Sequence, residues 1–285
     1  MEKTKRTSMT IITLRRMKKN KLAIAGLVVM AVFLFIAIFA SFLAPYPYAD
    51  ADLFNTFSTP SLAHPFGTDE LGRDLLSRLM VGTKYSLSIG LISVAVAAVF
   101  GISLGAICGY FGGRVDSVIM RIMDVFQALP ALIMAIAICA VLGAGFVQSV
   151  VAITVSSIPG FVRMARASVM NIRKMEYLEA ATAINCSTTQ IIVKHILPNA
   201  MAPLIVQMTM GVATNILTAS NLSFIGLGVQ PPAPEWGAML SAGRNYIRNY
   251  PHMVMFPGIT IMLSVLALNL LGDGLRDALD PKLKD

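Results

Sequence analysis

The chain has 285 residues, 56% of them hydrophobic and only 13% charged, with mean hydropathy +0.71; soluble domains run to about 45–50% and about 25%. So few charges cannot coat a globular surface, whereas a bilayer solvates surplus apolar side chains directly, so the composition excludes an ordinary soluble protein and indicates an all-α integral membrane protein. The net charge of +8 does not call for nucleic acid, because in the topology below the basic residues gather on one side of a membrane.

Charge-free windows longer than twenty residues lie between Lys21 and Asp50, Lys84 and Arg114, Asp124 and Arg163, Lys194 and Glu235, and Arg248 and Asp273. A crossing takes about 20 residues, so the 38-residue window after Asp124 is read as two spans that turn at Gly143-Ala144-Gly145. Six transmembrane helices result, over 22–44, 87–110, 125–142, 147–165, 203–226 and 252–271, and both termini share a side. Under this topology Lys and Arg number eight in 1–21, two between spans two and three, five between spans four and five, and three in the tail, against five on the other face. The positive-inside rule then predicts cytoplasmic termini and outward-facing segments 45–86 and 227–251. The first apolar run is longer than a signal-peptide core and lacks a small-x-small cleavage site, which predicts an uncleaved first span. The 40-residue window after Lys194 is expected to hold one span. A seventh would send Arg276, Lys282 and Lys284 outside, and Ser220 to Pro234 is too rich in Gly, Pro and Ser for a helix, so that stretch is predicted to be irregular or partly re-entrant.

No GxxxxGK[ST] loop is present, so nucleotide hydrolysis and a bound cofactor are not expected of this chain. His64, His195 and His252 form no HExxH or Ser-His-Asp pattern. Cys108, Cys139 and Cys186 lack CxxC spacing and read as small apolar fillers, and the eighteen methionines as apolar filling, so no metal site is expected. Two other classes stay in view: a membrane enzyme built around His64, Asp69 and Arg73, and a secondary transporter, against which the lack of acidic residues deep inside the spans argues. Asp124 lies at a span end, three residues after Arg121, and the two are expected to pair. Gly101, Gly105 and Gly109, at intervals of four, read as a seam for close helix packing. Gln207, Thr214, Thr218 and Asn221 fall on one helical stripe that could line a wet pathway or bond to neighbouring helices. The stretch 171–198 reads as two short helices, with a left-handed turn at Asn185, a capping box from Ser187 to Gln190, and a helix end at Pro198. Such a bent pair suits docking with a soluble partner.

Glu179-Ala180-Ala181, Asn185 and His195-Ile196-Leu197-Pro198 resemble the EAA loop of binding-protein-dependent ABC importer permeases, with Asn185 where that family usually has Gly and His195 where it often has a branched aliphatic residue. His64-Pro65-Phe66-Gly67-Thr68-Asp69, Gly72-Arg73-Asp74 and Ser77-Arg78 resemble the C-type subunits of its dipeptide, oligopeptide, nickel and glutathione importers. So do Leu222 to Gly228, Pro231-Pro232, Pro234-Glu235-Trp236-Gly237, Gly272 to Asp277 and Asp280-Pro281. The resemblance implies a type I ABC importer permease fold, divided into a basic N-terminus (1–21), a first helix (22–44), an extracytoplasmic segment (45–86), a five-helix core (87–271) containing the ATPase-coupling loop 171–198 and outer loop 227–251, and a tail (272–285). It further implies a homologous second permease, two cytoplasmic ATPase subunits carrying ATP and Mg, and an extracytoplasmic solute-binding protein, in the cell (inner) membrane of a bacterium or archaeon. A peptide is the expected solute, with nickel or glutathione as alternatives, moved by alternating access.

Overall fold

The computed structural model describes residues 16–279, and the regular structure among them is helical. Residues 1–15 of the basic N-terminus and Asp280-Pro281 of the tail lie outside the described residues.

Helix α1 (Lys21–Leu43) starts at Asn20, whose side-chain oxygen accepts from the N–H groups of Leu22 and Ala23 at 3.1 Å, satisfying two donors that a helix start leaves open. It packs on α2 (Leu75–Phe111) and on the last helix, α10 (His252–Leu279). Arg16 Nη1 reaches the Ala278 carbonyl at 3.5 Å, so the two ends of the described chain meet on one side of the bundle, as an even number of crossings requires.

Helix α2 begins twelve residues before the predicted start at 87. Asp74 nucleates it by accepting from the Ser77 N–H (2.8 Å) and Oγ (2.7 Å), and its first turns, with Arg78, are buried by protein. The exposed Lys84 bounds the apolar window without breaking the helix, and Arg78 before it is accommodated by protein partners. The glycine seam packs as expected: Gly101, Gly105 and Gly109 lie against Phe161, Val162, Ala165, Arg166 and Val169 of α5 (Phe146–Ile172), and a Cβ at Gly109 would stand 2.8 Å from the Arg166 carbonyl oxygen. This is the most extensive helix contact in the bundle.

The third span is not the straight 125–142 helix expected. It is a broken pair, α3 (Gly113–Gln127) and α4 (Ala131–Leu142), bent by 81°. Pro130 has no N–H to donate and disfavours helical backbone at Leu129, which ends α3. Alone, the 12 residues of α4 reach about 18 Å, short of a bilayer core. The turn into α5 falls at Gly143 to Gly145, as predicted.

After α5 come α6 (Glu176–Ala183), the short α7 (Thr188–Gln190), a π-helical turn Ile191–Ile196, and α8 (Leu197–Phe224). Pro198 does not end a helix, contrary to expectation: Thr188–Phe224 is one 37-residue rod. The π register, in which the Leu197 N–H reaches back to the Ile192 carbonyl, widens the backbone just where the proline ring would collide with the preceding turn and its missing N–H would leave a gap. The residues after Phe224 are irregular until α9 (Trp236–Gly243), so the long window holds one span. Five helices among the described residues are long and apolar enough to cross a membrane, and the bent pair makes a sixth.

Candidate functional site

Three predicted clusters of side chains fall in three separate places. The first is a cavity of about 350 Å3 between α8, α5 and the α3–α4 elbow. Gln207, Thr214 and Thr218 line it from α8, Ser156, Ser157 and Gly160 from α5, and Gln127 from α3. Thr214 and Thr218 donate to the carbonyls of Met210 (3.2 Å) and Thr214 (2.9 Å), leaving their oxygen lone pairs for the cavity. Asn221, the fourth residue of the stripe, is exposed and is not among the lining residues. A second cavity, of about 480 Å3 and lined by Pro203, Val206 and Arg276 among others, shares Gln207 and Met210 with the first. The two therefore form one groove along α8.

Sequence reasoning missed Asn215 at the root of this groove. Its Nδ2 donates to Ser93 Oγ at 2.9 Å and its Oδ1 accepts from Ser157 Oγ at 3.1 Å, so one buried amide joins α2, α5 and α8. Only the serine pair beside Pro159 hinted at it, since Asn215 lies off the stripe that drew attention. The predicted partner of Asp124 was also wrong: Asp124 pairs with Arg163 of α5 at 2.7 Å, not with Arg121. Position 121 is one turn back on the same helix, whereas Arg163 reaches across from the neighbouring one.

The second cluster is the 171–198 connection. Asn185 takes the left-handed conformation (φ 64°), and the capping box forms, with the Gln190 side chain accepting from the Ser187 N–H (3.1 Å) and Ser187 Oγ accepting from the Gln190 N–H (3.3 Å). Glu179 stands in the first turn of α6. Glu179 and Ala180 are exposed, while Ala181 is buried. Leu178, Ile191, Ile196 and Ala200 bury against Ala165, Val169 and Ile172 of α5, so this connection grips the bundle by one apolar side. Met175, Tyr177 and Ile184 are exposed as well, with the Tyr177 hydroxyl accepting from Asn199 Nδ2 of α8 at 3.2 Å, while Glu179 lines a surface cavity with Arg173, Lys174 and Asp116. His195 is half-buried, Leu197 half-buried and Pro198 exposed, with the His195 carbonyl accepting from Asn199 Nδ2 at 2.6 Å.

The third cluster, the outer-segment motif, is a set of cross-links. Asp69 accepts from Arg73 Nε (2.7 Å) and from the N–H groups of Leu71 (2.9 Å) and Arg73 (3.0 Å), with Arg78 Nε at 3.4 Å. Asp74 pairs with His64 Nδ1 at 3.0 Å besides capping α2. Arg78 Nη1 donates to the Tyr48 carbonyl (2.9 Å), and Thr68 Oγ1 accepts from the Ser58 N–H (2.8 Å). Gly72 has φ 73°, and a Cβ there would run into the Asp52 carbonyl; Gly67 is likewise pressed against Ser58 and His252. Asp52 itself, bonded by the Asn55 amide and the Phe54 N–H, has its carboxyl held below the usual range. His64 thus pairs with Asp74, and Asp69 with Arg73 and Arg78, so His64 and Asp69 have different partners.

Comparison with known proteins agrees with this architecture. Residues 101–285 match the family described as binding-protein-dependent transport system inner membrane component, and residues 8–65 match the N-terminal transmembrane domain of oligopeptide transport permease C. The dipeptide transport system permease protein DppC of Alkalihalophilus pseudofirmus is 47% identical over 270 residues, 95% of this chain and 89% of that protein. The glutathione transport system permease protein GsiD of Pectobacterium atrosepticum is 44% identical over 273 residues, 95% of this chain and 90% of that protein. In fold, the chain resembles a subunit of the MetNI methionine ABC transporter in inward-facing conformations, with TM-score 0.60 at 19% identity over 71% of this chain and 96% of that one. The chain therefore belongs to the binding-protein-dependent inner membrane components of ABC transporters, within the branch of dipeptide and glutathione importer permeases.

Proposed function

We propose that this chain forms, with a homologous second permease, the membrane path for di- or oligopeptides delivered by an extracytoplasmic binding protein and driven by two cytoplasmic ATPases that carry ATP and Mg. The observation that carries the reading is the groove along α8, whose inner stretch is polar and uncharged, in a chain 47% identical to a dipeptide permease. Neutral amide and hydroxyl groups hydrate a passing peptide backbone without holding it, which transport requires. The termini and the 171–198 connection are cytoplasmic in this reading, on the Lys and Arg distribution. The exposed residues Glu179 and Ala180 meet an ATPase, and the helix Thr188–Phe224, whose Ile191 and Ile196 share an apolar cluster with Leu178 of α6, carries displacement from there to Gln207, Thr214 and Thr218. A partner shifts the access equilibrium only through contacts that differ between the two states, and the packing of α6 on the helix that lines the groove supplies that coupling.

The experiment is uptake by the complex reconstituted in liposomes with its binding protein, comparing labelled dipeptides with glutathione and with nickel. ATP-dependent accumulation of dipeptides is expected; accumulation of glutathione or nickel alone would reassign the solute.

A further inference from the structure

Two ion pairs join α3 to α5, and they are built differently. Arg166 holds Asp116 with two contacts, from Nε to Oδ1 and from Nη2 to Oδ2 at 2.6 Å, with side chains 30% and 16% exposed. Arg163 holds Asp124 with a single contact, Nη2 to Oδ1 at 2.7 Å, and the two side chains are 47% and 50% exposed. A pair so exposed contributes little to stability, and the bidentate pair already ties the two helices together.

The place of the weaker pair gives it another use. Asp124 stands three residues before Gln127 on α3, and Arg163 three residues after Gly160 on α5. Both Gln127 and Gly160 line the polar cavity, and residues three apart on a helix share a face. The other polar side chains lining that cavity are all uncharged amides and hydroxyls. Asp124 and Arg163 are not lining residues themselves; about one helical turn beyond the lining, they spend one contact on each other and keep further acceptor and donor positions in hand.

We propose that Asp124 and Arg163 read the charged ends of the transported peptide: the pair opens, Asp124 takes the ammonium, Arg163 takes the carboxylate, and the pair re-forms as the peptide leaves. This rests on the peptide reading above. Ionic contacts replace an ionic contact at each stage, and because the exposed pair is held only weakly the exchange is even enough that the solute is released. A solute with blocked ends cannot replace the contact it must break.

The test uses the assembled complex in liposomes with binding protein loaded to equal, separately measured occupancy. Three solutes are compared: a dipeptide with free ends, its C-terminal amide, and its N-acetyl form. Loss of one charged hydrogen bond corresponds to about a tenfold change in rate. Arg163→Gln is expected to lower transport of the free dipeptide about tenfold while leaving the amide near its wild-type rate; Asp124→Asn is expected to spare the acetylated form instead. Equal losses for all three solutes, no loss, or a wild-type complex that carries blocked and free dipeptides equally well would each overturn the proposal and leave the pair as a tether. If the wild type carries only the free dipeptide, the decision passes to Arg163→Gln with Arg163→Lys. Retention with Lys, and loss with Gln at unchanged assembly and unchanged solute-stimulated ATP hydrolysis, supports the proposal; a parallel fall in ATP hydrolysis overturns it. A wild-type complex that carries no peptide at all would overturn the peptide assignment itself, and this inference with it.

Discussion

The connections 44–74 and 173–196 both join long helices through polar territory, and they are built in opposite ways. In the first, Asp69, Arg73, Asp74 and Arg78 are buried and bonded to one another and to the backbone, and Phe57, a bulky residue at φ 55°, is held there by stacking on Tyr250 at 4.5 Å. In the second, Glu176, Glu179, Arg173 and Lys174 are exposed, and the residue at positive φ is an asparagine. A connection that satisfies its own charges is finished by the chain alone. The first connection also leaves Leu53, Phe54 and Leu62 in the open, so the contrast lies in the charges: cross-linked and buried in the first, exposed in the second, where the proposed function has a partner complete them.

The contrast is broken most severely at Asp69. Asp69→Ala leaves the Arg73 and Arg78 guanidinia buried without their carboxylate, and removing one partner of a buried pair costs about 3–5 kcal/mol. A large fall in thermal stability of the purified protein in detergent is expected. The neighbouring Glu70→Gln is the control, because Glu70 touches Arg73 only at 3.5 Å from a side chain 26% exposed, and it should change little. A mild Asp69→Ala would mean that the outer segment is not the scaffold its bonding indicates.

The next effect is large on function and small on stability. Glu179→Arg combined with Ala180→Glu changes two exposed residues, and exposed charges contribute about 0–1 kcal/mol, so the unfolding midpoint should stay near wild type. At an interface the same reversal sets like charge against like and costs several kcal/mol. Loss of ATPase co-purification and of solute-stimulated ATP hydrolysis is therefore expected. A double variant that keeps both removes the docking role from this surface, and with it the meaning of the comparison.

What could be read from the sequence follows the same division. Features set by neighbours along the chain were legible: the six apolar segments, the Gly101, Gly105, Gly109 seam, the turn at Asn185 and the Ser187 capping box. Features set across the chain were not. Lys84 marked the edge of the second apolar window, yet the helix runs back to Leu75, where Arg78 is held by Asp69 and Tyr48 from another segment; Asp124 looked paired within its helix although Arg163 lies nearer in space. Asn215 gave no periodic signal, since one buried amide bonded to two serines on other helices has no pattern of its own. Pro198 misled for a different reason: local chemistry says that proline stops a helix, and the π turn before it is an exception that the residues do not announce.

The smallest expected effect tests the turn itself. Asn185 sits at φ 64°, where an ordinary side chain costs roughly 1–2 kcal/mol and asparagine less. Asn185→Gly removes what strain is left in the folded state but gives the unfolded chain more freedom, worth about 0.4–1 kcal/mol in the other direction. The two nearly cancel, so stability should move by about 0.5 kcal/mol or less, and solute-stimulated ATP hydrolysis should be unchanged. Asn185→Val keeps the unfolded chain stiff and takes the full steric cost in the folded state, with branching at Cβ where the left-handed conformation tolerates it least. It should therefore loosen the α6 turn by about 1–2 kcal/mol. That change should be seen as faster hydrogen exchange at Ile184 to Ser187 while the amides of α5 keep their protection, because the apolar grip of Leu178 and Ile191 on α5 lies on the other side of the connection. Uniform loss of protection through α5 would mean that turn and bundle are one cooperative unit, and that the docking surface is less separable from the scaffold than its sparse bonding suggests.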